Sequence, residues 1–333
     1  MMKPAPILGV LAVASALSSL QPAKPAPQAA PPAKPASAQT PLAAMIEQEQ
    51  AFAKVAGEKG VRDAFLEFLA DESLVFTPGP APGKLFYKNR PALPIKLSWA
   101  PEFADMSAAG DLGYTSGPYE ISKTAADPPS SYGHFNSLWR LQKDGSWKVE
   151  VDLGVPHDKP KVSVADVKSV ESPKDNAPAP KDPKPTDALQ TELTTLDTQL
   201  AAKVEAVGAE KAYLEVAADS IRLFRSDNLP ALGKAAAAKL AAQSGTQSWK
   251  PALARVAKSG DLGYSSGTMR MGAPAATPPS AGAAPPTPPA AGGARPAPAA
   301  GAAPPQALTP HYYVRIWRRD ATGAWKIVLE VAP

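Results

Sequence analysis

One stretch of this chain is written twice. Trp99 to Gly117 (WAPEFADMSAAGDLGYTSG) returns without a gap as Trp249 to Gly267 (WKPALARVAKSGDLGYSSG), 150 residues further on. The correspondence extends outward in order. Gly60 to Phe76 matches Gly208 to Phe224 at an offset of 148, and Trp139 and Trp147 match Trp317 and Trp325 at an offset of 178. The late growth of the offset, by 28 residues, places an insertion between the matched strands of the second copy. Self-similarity of this length and order predicts two versions of one folding unit rather than a single large core.

Composition then says which residues are free to build those units. With 40 prolines and 23 glycines in 333 residues, a sizeable part of the chain cannot pack into a core. Residues 21–39 (Pro/Ala/Lys), 159–185 (Lys/Asp/Pro) and 271–310 (Ala/Pro/Gly) bury too little apolar surface to offset the entropy of ordering them and read as disordered. The first is a spacer, the second a linker and the third an insert inside the second domain. The domains themselves are then 40–158 and 186–333. The linker, about 27 residues with a coil span on the order of 5 Å times the square root of its length, permits the two to dock.

Residues 1–20 carry one basic residue, Lys3, then an apolar run from Ile7 to Leu17 with Ala14-Ser15-Ala16 inside it. This is a secretory signal pattern, too short for a spanning helix, and it predicts export to the periplasm or the cell exterior with no membrane span once it is removed. The chain has no cysteine, which excludes disulfides, thiol nucleophiles and a lipidated N-terminal cysteine. Its net charge of +4 is spread over scattered lysines, and the lysine-rich linker also holds Asp166, Glu171, Asp175 and Asp182. No nucleic-acid-binding stripe is predicted.

Each copy opens with helical periodicity. Leu189, Leu193, Leu196, Leu200, Val204 and Val207 recur at steps of three and four, and Gly208 follows as a stop. In the first copy Thr40 can cap, Pro41 suits the first helical position, Ile46, Glu49, Phe52 and Ala53 continue the pattern, and Gly57 ends it. A short second helix through Val61, Phe65, Phe68 and Leu69 leads to a strand at Leu74–Phe76. The remainder alternates with period two, with strands expected near 102–108, 112–122, 132–142 and 147–153. Hairpin turns fall at Lys143-Asp144-Gly145-Ser146 and Asp320-Ala321-Thr322-Gly323. Helices followed by a meandering sheet give an α+β domain whose helices cover one face of a curved antiparallel sheet.

These residues together resemble a known group. The two leading helices, the strand, a short helix after Asn89-Arg90-Pro91-Ala92-Leu93, the Gly-Asp-Leu-Gly-Tyr-Thr-Ser-Gly strand start and the closing Asp-Gly-Ser-Trp-Lys-Val-Glu-Val-Asp-Leu-Gly-Val-Pro-His are similar to the domain of unknown function 4440 branch of the nuclear transport factor 2-like superfamily. Residues 40–158 carry the likeness well. The second copy, which holds the insert and lacks the Asp-Leu-Gly-Val-Pro-His extension, carries it less closely. The resemblance implies two cone-shaped domains, and its relatives include SnoaL-like, polyketide cyclase-like and ketosteroid isomerase-like enzymes beside plain binding and dimerisation domains. Single domains of this superfamily commonly pair through their sheets, which implies an internal pseudo-dimer. The fold licenses no one function.

Candidate site residues follow from comparing the copies. Tyr132, His134, Asn136 and Leu138 correspond to Pro310, Tyr312, Val314 and Ile316, an apolar row. That row reads as the core side of the sheet, which points His134 and Asn136 into the concave pocket and makes Tyr132, His134, Asn136 and Leu138 the expected ligand-binding set. In the second copy the same pocket loses its polar groups. His134, Tyr114 and Asp152 are candidates for acid–base chemistry. Against that role, Tyr114 recurs as Tyr264 in the manner of a core aromatic, and alternation sets Asp152 with Lys148 and Glu150 on a solvent row. Three histidines without cysteines or clustered carboxylates show no metal-site spacing, no cofactor motif is present, and no Gly-x-Ser-x-Gly element occurs. The expected function is an exported, non-catalytic module binding a small apolar or amphipathic ligand or a partner. The alternative is an isomerase- or cyclase-like enzyme working in the cavity of the first domain.

Overall fold

Helix α1 (Pro41–Lys59) starts as its residues require. The Thr40 side chain accepts the Ala43 N–H, and Pro41 fills the first turn. The helix runs past Gly57 to Gly60, where a φ of 90° turns the chain at once into α2 (Val61–Phe68). Gly208, with a φ of 84°, does the same between α4 (Thr186–Val207) and α5 (Ala209–Val216). The computed structural model describes residues 39–77, 79–173, 176, 178–244, 247–271 and 311–333. The segment expected to be a signal sequence (1–20), all but Gln39 of the expected spacer and nearly all of the expected insert lie outside these residues.

After α2 come β1 (Leu69–Phe76), β2 (Pro80–Pro82), α3 (Gly83–Lys88), β3 (Lys96–Trp99), β4 (Phe103–Met106), β5 (Leu112–Ser122), β6 (Ser131–Leu141) and β7 (Trp147–His157). The sheet order is β2-β1-β7-β6-β5-β3, with β4 also on β5. In the second half the elements are α4, α5, β8 (Ala217–Arg225), β9 (Ala231–Leu232), α6 (Lys234–Gln243), β10 (Gln247–Val256), β11 (Leu262–Met271), β12 (His311–Arg319) and β13 (Trp325–Ala332). They form a second sheet in the order β10-β11-β12-β13-β8-β9.

Three expectations need correction here. The sheets are mixed, not purely antiparallel, because β1 lies parallel to β7 and β8 parallel to β13. The short helix precedes Asn89 instead of following Leu93, since Pro91 and Pro94 disfavour helical backbone at and before them. The stretch 159–185 is not without structure throughout. Val164–Asp166 forms a 3-10 turn capped by Ser163, and Glu171 pairs with the free edge of β4 through Ala104 N–H to Glu171 O (2.9 Å) and Glu171 N–H to Glu102 O (2.8 Å). An open strand edge offers unpaired backbone groups, which this linker segment satisfies.

The repeated glycine that closes the duplicated motif has a steric cause. A Cβ on Gly117 would stand 2.0 Å from the Ala100 carbonyl oxygen, and one on Gly267 would stand 2.2 Å from that of Lys250. Only a glycine lets the preceding strand cross so close.

Residues 39–333 form one compact unit in which both faces of each sheet are buried. One face packs on its own helices. Met45, Phe52, Phe65, Phe68, Trp99, Trp139 and Val149 make that core in the first half, and Leu193, Leu200, Tyr213, Trp249, Trp317 and Ile327 make it in the second. The other faces share a third core, with Leu112, Tyr114, Leu138, Val151, Leu153 and Val155 of the first sheet against Phe224, Leu262, Tyr264, Val314, Ile316 and Val331 of the second. Polar contacts across this seam are reciprocal. The Ala108 N–H donates to Asp261 Oδ2 (3.1 Å), and the Lys258 N–H, at the equivalent position, donates to Asp111 Oδ2 (3.2 Å).

Candidate functional site

Between the helices and the concave face of the first sheet lies a cavity of about 240 Å³, walled chiefly by aromatic and aliphatic groups that include Phe52, Phe65, Phe86, Tyr87, Trp99, Tyr119 and Phe135. Asp152 is its one acidic wall residue. It arrives there because β7 carries a bulge: Leu138 pairs with Val151 but Trp139 with Val149, so Glu150 is extra and every side chain beyond it changes face. Trp147 and Val149 face the helices, whereas Val151, Leu153 and Val155 face the seam. Asp152 therefore belongs to the cavity and not to the solvent row that strict alternation predicts.

Ser137 Oγ donates to Asp152 Oδ2 at 2.8 Å. Burial pushes the Asp152 carboxyl up to about 7, with Ser137 opposing the rise and the nearby Glu49 adding to it. Glu49 itself is fully buried on the apolar stripe of α1. It accepts hydrogen bonds from Trp99 Nε1 (2.6 Å), Trp139 Nε1 (2.8 Å) and Thr115 Oγ1 (2.5 Å), yet desolvation still raises its carboxyl above the usual range. The Tyr87 hydroxyl is pushed up by burial and by Asp152, and the Tyr119 hydroxyl is raised to about 12 by burial.

The second half resolves the same geometry differently. Asp197, Arg315 and Glu330 occupy the positions of Glu49, Ser137 and Asp152, and all three are wholly buried. Arg315 Nε donates to Glu330 Oε2 at 2.6 Å, and Arg315 Nη1 pairs with Asp197 Oδ1. Glu330 also takes Arg225 Nη2 and the Tyr213 hydroxyl (2.7 and 2.8 Å), while the Tyr313 hydroxyl donates to Asp197 at 2.8 Å. Arg315 and Arg225 hold the Glu330 carboxyl down to about 2 against its burial. The expectation that the second cone loses its polar groups is thus overturned. It gains more of them, and they pair with one another.

His134, Asn136 and Leu138 do not face the cavity. They lie on the opposite side of β6, in the seam, because that row is buried against the second sheet and not against the helices. His134 Nδ1 is 2.7 Å from His157 Nε2, its Nε2 is 3.6 Å from Glu102, and its ring stands 5.8 Å from that of Phe224. Neither polar atom of the Asn136 side chain has a hydrogen-bond partner among the described residues. Tyr132 sits at the strand end and donates to Pro129 O at 3.0 Å. Tyr114 is buried in the seam, 3.5 Å from Asp105 Oδ2. Of His134, Tyr114 and Asp152, only Asp152 reaches the cavity, so the sheet itself separates the three. Sequence reasoning missed Arg315, Arg225 and Glu49. The available signal was an acid at the same place on both leading helices, within an otherwise apolar stripe. Among the described residues no group of three His, Cys, Asp or Glu side chains could hold a metal ion, and no helix is long and apolar enough to cross a membrane.

The raised Asp152 carboxyl sets a pH dependence. A folded-state value of about 7 against the ordinary aspartate value of 3.8 favours the protonated form on folding, so its contribution is full below pH 3.8 and is lost as the pH rises through 7. Asp152→Asn removes that loss. Urea unfolding at about pH 4 and pH 8 should show the variant unchanged at the lower pH and about 1–3 kcal/mol more stable than the parent at the higher.

No protein-family model matches the chain, and no curated protein matches it in sequence. Solved structures similar to it include a protein of unknown function with a cystatin-like fold from Nostoc punctiforme (11% identity, TM-score 0.29), covering 35% of this chain and 92% of that one. A ketosteroid isomerase-like protein from Erwinia carotovora atroseptica covers 36% of this chain and 97% of its own at 14% identity, with a TM-score of 0.30. An NTF-2 like protein of unknown function from Shewanella oneidensis covers 33% and 95% at 16% identity, with a TM-score of 0.26.

Proposed function

We propose that this is an exported receptor for a small, mainly apolar molecule, built from two nuclear transport factor 2-like domains of which the first holds the ligand and the second is its scaffold. The observation that carries the reading is the aromatic cavity of about 240 Å³ with Asp152 on its wall. Apolar walls with one placed polar group are the ordinary form of a small-molecule site. The second half supports a scaffold role, since its equivalent groups are consumed in internal ion pairs. The shared apolar core and the reciprocal Ala108 and Lys258 contacts support docking as an internal pseudo-dimer.

An enzymatic reading draws support from one observation, a cavity carboxyl raised to about 7, where a base is useful at neutral pH. It rests on Asp152 alone, because His134 and Tyr114 lie across the sheet.

Thr77→Arg tests the receptor reading. Thr77 lines the cavity and takes the place that Arg225 holds in the second half, so the variant copies the second half's own way of filling the cone. A neutral bicyclic aromatic such as 2-naphthol should quench the fluorescence of the parent protein, where Trp99 is a wall residue, and leave Thr77→Arg unaffected at equal far-UV circular dichroism. Equal response of parent and variant rejects the cavity as the binding place.

A further inference from the structure

We infer that the ligand of the first-half cavity is a small organic cation, an amine, amidine or guanidine on an apolar body, whose charge lies against Asp152; this rests on the receptor reading above. The second half supplies the template. There the carboxylate equivalent to Asp152, Glu330, meets two guanidinium groups, Arg315 and Arg225, and one hydroxyl, Tyr213. In the first half these three positions are Ser137, Thr77 and Phe65, and both Thr77 and Phe65 are walls of the cavity. The cavity therefore extends along the side of the carboxylate from which, in the second half, the cation Arg225 and the Tyr213 hydroxyl approach.

The aromatic surroundings agree. The Arg315 guanidinium carbon stands 4.9 Å from the Tyr313 ring centre and 5.1 Å from that of Trp249. Their counterparts, Phe135 and Trp99, are also cavity walls. Ring faces attract cations, most strongly where water is excluded, and a carboxylate beside them adds a charge-assisted hydrogen bond. Among the described residues no Lys or Arg lines the cavity to compete for Asp152. The groups that face its carboxyl are Ser137 from β6, Glu49 from α1 and Tyr87 from α3. None of them is a cation, and Glu49 adds negative charge whenever it ionises.

Benzamidine and benzamide share one shape and differ in charge, which isolates the question. Calorimetric titration of the full chain at about pH 8 should give benzamidine about tenfold the affinity of benzamide, as expected for one desolvated charge-assisted contact. The preference should shrink towards unity at about pH 5.5, where Asp152 holds a proton, and it should vanish in Asp152→Asn. The pH series on the parent protein keeps the test alive should that variant fold poorly. If benzamide binds as well as benzamidine and Thr77→Arg blocks both, the receptor stands and the cation is rejected. If neither probe binds the parent better than Thr77→Arg, the receptor reading fails, and this inference with it.

Discussion

Arg315→Ser, which writes into the second half the residue that position 137 carries in the first, should lower the stability of the chain by about 3–5 kcal/mol. The cost does not arise from losing an attraction alone. Asp197 and Glu330 are fully buried on either side of Arg315, and without the guanidinium two carboxylates are left in an apolar core with too few donors. Glu330 keeps Arg225 and Tyr213, but among the described residues Asp197 keeps only the Tyr313 hydroxyl. Equilibrium urea unfolding at neutral pH measures the loss, and adding Asp197→Asn to Arg315→Ser should recover part of it. An undiminished midpoint would mean that the second cone tolerates the arrangement of the first. The contrast with Ser137 is informative, because the first half does tolerate serine there. Its helix acid is turned onto two indole N–H groups and a threonine, and its strand acid lies at neutral pH near its midpoint.

The duplication was legible from residues alone because glycine and tryptophan landmarks recur for steric reasons. Gly117 and Gly267 permit a close backbone crossing, and Trp99, Trp139, Trp249 and Trp317 fill the two helix-side cores. The site was much less legible. Period-two alternation assigns faces correctly only up to the first bulge, and the extra residue at Glu150 moved Asp152 from the expected solvent row into the cavity. The apolar row Tyr312, Val314 and Ile316 reads as the core side of the sheet, but a sheet buried on both faces has two apolar rows. That is why alternation points His134 and Asn136 to the cavity when they belong to the seam. The parallel pairing of β1 with β7 carries no local signature, since it depends on how the two ends of the chain segment meet. Nor does composition reveal that Asp197 and Arg315, 118 residues apart, neutralise each other.

The seam offers the second large effect. Arg318 Nε and Nη2 grip Asp105 at 2.8 and 2.9 Å, Nη2 also donates to the Met106 carbonyl at 2.6 Å, and Nη1 lies 3.3 Å from Asp261. Both partners of this pair are nearly inaccessible, and it joins one half to the other. The equivalent arginine of the first half, Arg140, pairs with Glu150 in its own half instead, so the bidentate grip crosses the seam in one direction only. Arg318→Ala should therefore strand the Asp105 carboxylate with, among the described residues, only Asn176, Tyr114 and the Met106 N–H as donors, and cost about 3–5 kcal/mol. Because the loss falls between the halves, heating should give one transition for the parent and two for the variant. The double variant Arg318→Met with Asp105→Asn should regain most of the stability, since an apolar stem of similar length keeps the packing and no charge is left buried without a partner. Differential scanning calorimetry of the two variants beside the parent decides the matter. A single transition at the parent's temperature in Arg318→Ala would place the cohesion of the halves in their shared apolar core alone, whereas recovery in the double variant identifies the stranded charge as the cause.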